Sequence, residues 1–249
     1  MLHGKGYILY QREGLNVLNV KQFRYGADNL GYLIYGRKDA MVIDGGAGKT
    51  MLDFINIRKL NLLFVANTHN HYDHTGGNAK FLDDQRVRFF GYDDLIRRED
   101  VDLEGQTITI YNTPGHTEDS VCFHVGNFLI SGDTLFNGTI GNCFTGDLKG
   151  FYQSIRKLMT LPAETIVYAG HDYVKDAMAF AKQLEPGNGS LDAYLEKYDP
   201  GHVFSVLQDE FLVNPYLRFN DEKMIAILKK KGLPVNGEWQ RWQSIMTIE

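Results

Sequence analysis

Apolar positions in the first two thirds of the chain come in short runs separated by Gly and Asn. Residues 31–35 and 40–44 read as paired strands joined by a turn at 36–39. Residues 51–60 carry apolar groups at helical spacing, 62–66 form a short apolar strand, and 80–84 close a helix. Strands follow at 107–111, 121–125 and 128–131, then a helix at 151–159 and a strand at 165–169. Strands mixed with helices over residues 1–172 predict an α/β domain of stacked layers.

The texture changes near Tyr173. Residues 173–184, 191–198, 205–212 and 222–230 all have helical periodicity, and no strand-like alternation follows. Residues 173–249 are therefore expected to form a helical domain packed on the first. Pro186-Gly187-Asn188-Gly189 reads as a loop between two of its helices.

Composition removes several classes. The 249 residues are 43% hydrophobic and 23% charged, which excludes collagen-like and disordered chains. A net charge of −5 argues against a nucleic-acid-binding surface. Two cysteines, Cys122 and Cys143, exclude a disulfide framework and fit a reducing compartment. The first twenty residues lack an apolar signal core, and no run of eighteen apolar residues occurs. A soluble cytoplasmic protein without membrane contacts is expected.

The chemistry concentrates in Thr68-His69-Asn70-His71-Tyr72-Asp73-His74, directly after the 62–66 strand. Imidazole nitrogens and carboxylate oxygens are what zinc and related divalent ions bind. His69 and His71, two apart in extended chain, project to one side. Asp73 and His74 reach a second position if a turn follows. Three further candidates share one local pattern, an apolar strand, then Gly, then the ligand: Gly115-His116, Gly132-Asp133 and Gly170-His171. Gly permits the tight path that aims a side chain off a strand end. If the four strand ends lie at one sheet edge, all seven side chains converge there. Of the other histidines, His3 reads as a terminal residue, His124 as structural and His202 as a loop residue.

The segment resembles the His-x-His-x-Asp-His motif of the metallo-β-lactamase fold, with His116, Asp133 and His171 at its remaining ligand positions. The resemblance implies an αβ/βα sandwich with a C-terminal helical domain and a binuclear site at its edge. It assigns His69, His71 and His116 to one ion and Asp73, His74 and His171 to the other, with Asp133 bridging. Two divalent ions bring +4, Asp73 and Asp133 supply −2, and a bridging hydroxide leaves +1. Such a site suits a substrate that develops negative oxygen. Zinc is the first choice of metal, with iron and manganese as alternatives.

The 169–173, 185–188 and 214–218 segments are similar to glyoxalase II, the hydroxyacylglutathione hydrolases. That resemblance implies hydrolysis of S-D-lactoylglutathione by the bridging hydroxide. Asp73 and Asp133 would be catalytic as well as ligating, and the partner a small-molecule thioester. It places Tyr173, Arg218 and Asn142 on the substrate. The family's Lys and Tyr after the bridging Asp are Asn142 and Phe144 here, and its basic position three after Arg218 is Asp221. Lys149 and Lys223 are candidates to compensate. Arg218 also reads as a packing salt bridge, and Asp44 either as a partner of a ligand His or as a turn residue.

Two other readings compete with this one. A mononuclear iron oxygenase of the persulfide dioxygenase type needs two His and one carboxylate. A metal-stabilised binding module needs no open site. The Gly45–Thr50 stretch lacks the leading Gly of a phosphate loop, since that position is Ile43.

Overall fold

Strands covered on both faces read as continuous apolar runs, and those with a solvent face as alternating ones; both kinds build this chain. The computed structural model describes residues 18–248. The readings on the first twenty residues lie largely outside that range, and His3 wholly so. The first sheet begins with β1 (Asn19–Tyr25), β2 (Asn29–Tyr35) and β3 (Asp39–Ile43), paired antiparallel in turn. The helix α1 (Gly48–Arg58) crosses over to β4 (Asn61–Ala66), which lies parallel to β3. Two four-residue helices, α2 (Tyr72–Thr75) and α3 (Ala79–Leu82), lead to β5 (Arg88–Phe90), parallel to β4.

After α4 (Tyr92–Arg98) the second sheet starts. β6 (Asp100–Leu103), β7 (Gln106–Asn112), β8 (Val121–Val125) and β9 (Phe128–Gly132) are successive antiparallel neighbours. The helix α5 (Leu148–Leu158) then returns the chain to β10 (Ile166–Ala169), parallel to β9. The helices α6 (Val174–Leu184) and α7 (Ser190–Lys197) follow. β11 (Ser205–Val206) pairs with β10 before α8 (Leu207–Val213), α9 (Glu222–Lys230) and α10 (Glu238–Met246).

The two sheets stack face to face. Leu30, Tyr32, Ile34, Met41 and Ile43 of the first pack on Ile108, Phe123 and Ile130 of the second. Leu33, Val42 and Val65 point the other way, onto Met51 and Ile55 of α1. Cys122, Leu129 and Val167 face α5 and the later helices through Phe151, Leu228 and Trp242. The result is the expected αβ/βα sandwich. The helices after Tyr173 pack into clusters shared with the sheets: Met178 and Tyr194 join the inter-sheet cluster, and Leu207 and Trp242 the outer one.

Two expectations are corrected. Residues 205–212 are not all helix: 205–206 add a strand at the edge of β10, where unpaired backbone groups offer a ladder to join. The candidate ligands also do not leave a single sheet. β4 belongs to the first, whereas β7, β9 and β10 belong to the second.

The two sheets are also joined through their β6–β7 and β2–β3 turns. Glu104, in the β6–β7 turn, accepts the backbone N–H groups of Arg37, Lys38 and Asp39 at 3.1, 2.7 and 2.8 Å. Burial pushes this carboxyl up, but the three donors outweigh it and hold it below its ordinary value. A depressed carboxylate stabilises the fold above its unfolded pKa, and that stability is lost as pH falls through the folded value. Glu104→Gln should therefore lower the urea midpoint at pH 7, and the gap to wild type should close as pH drops below about 4. A gap that stays constant with pH in paired denaturation curves refutes this.

Candidate metal centre

The seven side chains singled out by the sequence meet at one point between the sheets. His69 and His71 follow β4 by way of a bend at Thr68 and His69, and α2 then turns Asp73 and His74 toward a neighbouring position. His116 follows β7, Asp133 follows β9 and His171 follows β10. Three groups of ligand atoms lie within 4.8 Å of one another: His69–His71–His116, His69–His74–Asp133 and Asp73–His74–His171.

Glycines make the convergence possible. Gly132 has φ +50°, and a Cβ there would stand 2.4 Å from the Thr68 hydroxyl beside His69. At Gly170 a Cβ would lie 2.1 Å from Asp133 Oδ1. Any side chain at either position would push the two sheets' ligands apart.

In the first group His69 Nε2 lies 2.9 Å from His71 Nδ1, and His116 Nε2 lies 3.1 Å from the same atom. His116 Nδ1 faces the Asn142 carbonyl at 3.0 Å and so carries the proton, leaving its Nε2 lone pair aimed into the cluster. In the third group His74 Nδ1 faces Asp44 Oδ2 and His171 Nδ1 faces Asp28 Oδ1, each at 3.0 Å. Both rings spend an Nδ1 proton on a carboxylate. Their Nε2 atoms approach to 3.3 Å, with Asp73 Oδ2 at 3.6 Å and 3.3 Å.

Asp133 stands between the groups. Its Oδ2 is 3.5 Å from His116 Nε2 and 3.4 Å from His171 Nε2, and its Oδ1 is 3.5 Å from His74 Nε2. Oδ1 is buried and, among the described residues, accepts no hydrogen bond. Converging imidazole lone pairs around an orphaned carboxylate oxygen are repulsive or unsatisfied unless a cation lies among them. The donor set therefore fits divalent metal ions.

The electrostatics differ between the halves. Burial pulls His69 down to about 4 and His116 below its ordinary value, so both are neutral, as ligation requires. Burial also pulls at His74, but the hydrogen-bonded Asp44 carboxylate outweighs it and lifts the ring to about 9. His171 is raised in the same way by Asp133 and Asp28 against burial. Burial would raise Asp133, yet the imidazoles of His171, His74 and His69 hold it at about 2. Burial, then the nearby carboxylates, push Tyr173 up to about 12, so its hydroxyl keeps its proton and can donate.

The residues expected on the substrate are placed differently from one another. The Tyr173 ring stacks on His171, centroids 5.1 Å apart and nearly parallel, and Phe136 packs edge-on against it. Asn142 is exposed beside the cluster and meets it through its carbonyl. Phe144 stands 65% exposed with its ring 5.1 Å from that of His116. Arg218 is only 8% exposed, with its guanidinium held by Glu185 and by Asp221 at 3.2 Å. That geometry is the packing salt bridge. Lys149 lies over the Trp239 and Tyr152 rings. His124 lies in β8, and His202 Nε2 pairs with the Tyr168 hydroxyl at 3.2 Å.

Asp44 proves to be the partner of a candidate ligand. Its Oδ1 also accepts the Thr68 N–H at 2.8 Å. Sequence reasoning missed Asp28 and Asn29. Asp28 sits in the β1–β2 turn and Asn29 opens β2, where Asp and Asn are ordinary hairpin residues and give no separate signal.

The chain is similar to proteins of known family. The profile of the metallo-beta-lactamase superfamily matches residues 28–96 and 84–171, and that of the hydroxyacylglutathione hydrolase C-terminus matches residues 172–245. A hydroxyacylglutathione hydrolase of Idiomarina loihiensis is 32% identical over 76% of this chain and 81% of its own. One of Pseudoalteromonas translucida is 30% identical over 92% and 96%. Among solved structures, ETHE1 from Myxococcus xanthus has a TM-score of 0.63 at 24% identity, covering 87% of this chain and 92% of that one, a likeness of fold.

Removing the Asp44 carboxylate frees the His74 ring from its tautomer and orientation. Asp44→Asn should lower zinc affinity by about 10–100-fold. Competition against a chelating dye measures it, and an unchanged affinity refutes the role.

Proposed function

The chain belongs to the metallo-beta-lactamase superfamily and, within it, to the hydroxyacylglutathione hydrolases, and we propose on that footing that it hydrolyses S-D-lactoylglutathione to D-lactate and glutathione. The observation that carries this reading is the convergence of six ligand side chains, in two sets of three, around Asp133. His69, His71 and His116 would hold one ion, Asp73, His74 and His171 the other, and Asp133 would touch both. Zinc is the proposed metal, since its ligands are imidazole and carboxylate. Divalent ions there would lower the pKa of water to about 7 and draw charge from a carbonyl.

The chain's own groups supply the rest. Burial at 7% exposure keeps Asp133 out of water, and the depressed carboxyl stays ionised through the neutral range. The Tyr173 hydroxyl is a neutral donor at the edge of the cluster. Phe144 presents an exposed apolar ring beside His116, with the exposed Asn142 two residues before it. A thiolate leaves with a pKa of about 8.5, so no strong general acid is needed. Residues 1–172 would form the catalytic domain and 173–249 the helical, substrate-binding one.

Among the described residues no helix is long and apolar enough to cross a membrane, and neither cysteine is in a disulfide. A reducing compartment such as the cytoplasm is proposed.

Purified protein loaded with zinc should release free thiol from S-D-lactoylglutathione, and a chelator should abolish the release. Asp133→Ala should cost about 10²–10³-fold or more in kcat/KM. Failure to cleave thioesters of several different thiols overturns the proposal. So does a single iron per chain accompanied by oxygen uptake.

A further inference from the structure

We propose that the β1–β2 hairpin is a working part of the metal centre, in which Asn29 at the start of β2, with Asp28 of the turn beside it, positions Asp73 and His171 and thereby sets how tightly the second ion is held. This rests on the two-ion reading above. Asp73 and His171 come from opposite sheets, Asp73 from the segment after β4 and His171 from the end of β10. Asp73 sits in a four-residue helix with its side chain 45% exposed, so its own segment does little to fix the carboxylate.

The hairpin does fix it. Asn29 Nδ2 donates to Asp73 Oδ2 at 2.8 Å. That is the same oxygen that faces His171 Nε2 and His74 Nε2. The neighbouring Asp28 holds His171 Nδ1 at 3.0 Å. Two consecutive residues thus reach two ligands of one ion.

The turn is itself anchored on both sides of His171. Leu30 N–H donates to Gly170 O at 2.8 Å, and Asp172 N–H donates to Asp28 O at 3.0 Å. Tyr25 and Asn29 close the hairpin as the last paired residues. Gly26, at φ +59°, leaves room for the Asn29 amide, because a Cβ there would stand 2.7 Å from Asn29 Oδ1. The amide oxygen therefore lies over Gly26 while its nitrogen points at Asp73.

The first group is held by other means. Thr68 Oγ1 lies 3.1 Å from His69 Nδ1, and the Asn142 carbonyl faces His116. Loss of the Asn29 amide should therefore act on one ion and spare the other. Groups that orient metal ligands are worth about 10–100-fold in affinity.

The test titrates wild type, Asn29→Ala and the near-isosteric Asn29→Leu with zinc against a competing chelator, following both binding steps. The variants should weaken one step by about 10–100-fold, leave the other within about twofold, and retain one zinc per chain where wild type retains two after dialysis against dilute chelator. A loss of general stability would instead weaken both steps together. Equal weakening of both steps, two unchanged steps, or a wild-type chain that takes up only one zinc overturns the inference. A wild type that binds two zinc ions yet cleaves no thioester overturns the proposed function alone and leaves this result readable.

Discussion

A carboxylate buried between two sets of imidazoles is the constraint on which the rest of the structure turns. Asp133 is almost wholly out of water and, among the described residues, one of its oxygens accepts no hydrogen bond. Burying an ionised group costs several kcal/mol, in order of magnitude, unless opposite charge surrounds it. The fold answers by bringing His69, His116, His74 and His171 to within 4 Å of it from two sheets. Gly132 and Gly170 are the steric condition for that approach. The same concentration of ligand atoms is what makes the site fit for divalent ions.

The groups behind the rings divide the cluster into unlike halves. Around His69 and His116 the partners are a hydroxyl and a carbonyl, and burial leaves those rings neutral. Around His74 and His171 the partners are Asp44 and Asp28, and those rings are driven toward the charged form. A carboxylate on the far nitrogen raises the basicity of the near one. Two ions held there would thus meet different donors, the more exposed one next to Asp73 and the β1–β2 turn.

The helices after Tyr173 reach the site through the loop that follows Asp133. Glu210 of α8, fully buried, accepts the Gly138 N–H at 2.9 Å, the Tyr194 hydroxyl at 2.6 Å and the Asn214 amide at 2.9 Å. Asn214 also donates to the Thr139 carbonyl at 3.0 Å. Burial raises the Glu210 carboxyl and these donors pull it back, leaving it above its ordinary value. The loop so bolted carries Phe136 against Tyr173 and runs on to Asn142 and Phe144. The packing of α8 is in this way coupled to the shape of the cluster's rim.

Much of this was legible in the chain itself. The apolar runs of β2, β3, β4, β8, β9 and β10 are long or continuous because both faces are covered. β1, with its half-exposed pattern NVKQFRY, has no such run, and β5 and β6 are three and four residues long, too short to show a period. β11 exists because β10 has a free edge, which no local pattern reports. The seven candidate ligands were visible because their residue types and the Gly before three of them are properties of adjacent positions. What stands behind them was not. That Asp28 faces His171, that Asn29 faces Asp73 and that Arg218 turns inward to Glu185 all follow from how two sheets and a set of helices close on one another. Local sequence determines which atoms are offered and the backbone freedom to aim them. Only the packed structure decides which distant atoms they meet, because hydrogen bonds and ion pairs depend on separations of a few ångströms that no spacing along the chain can set.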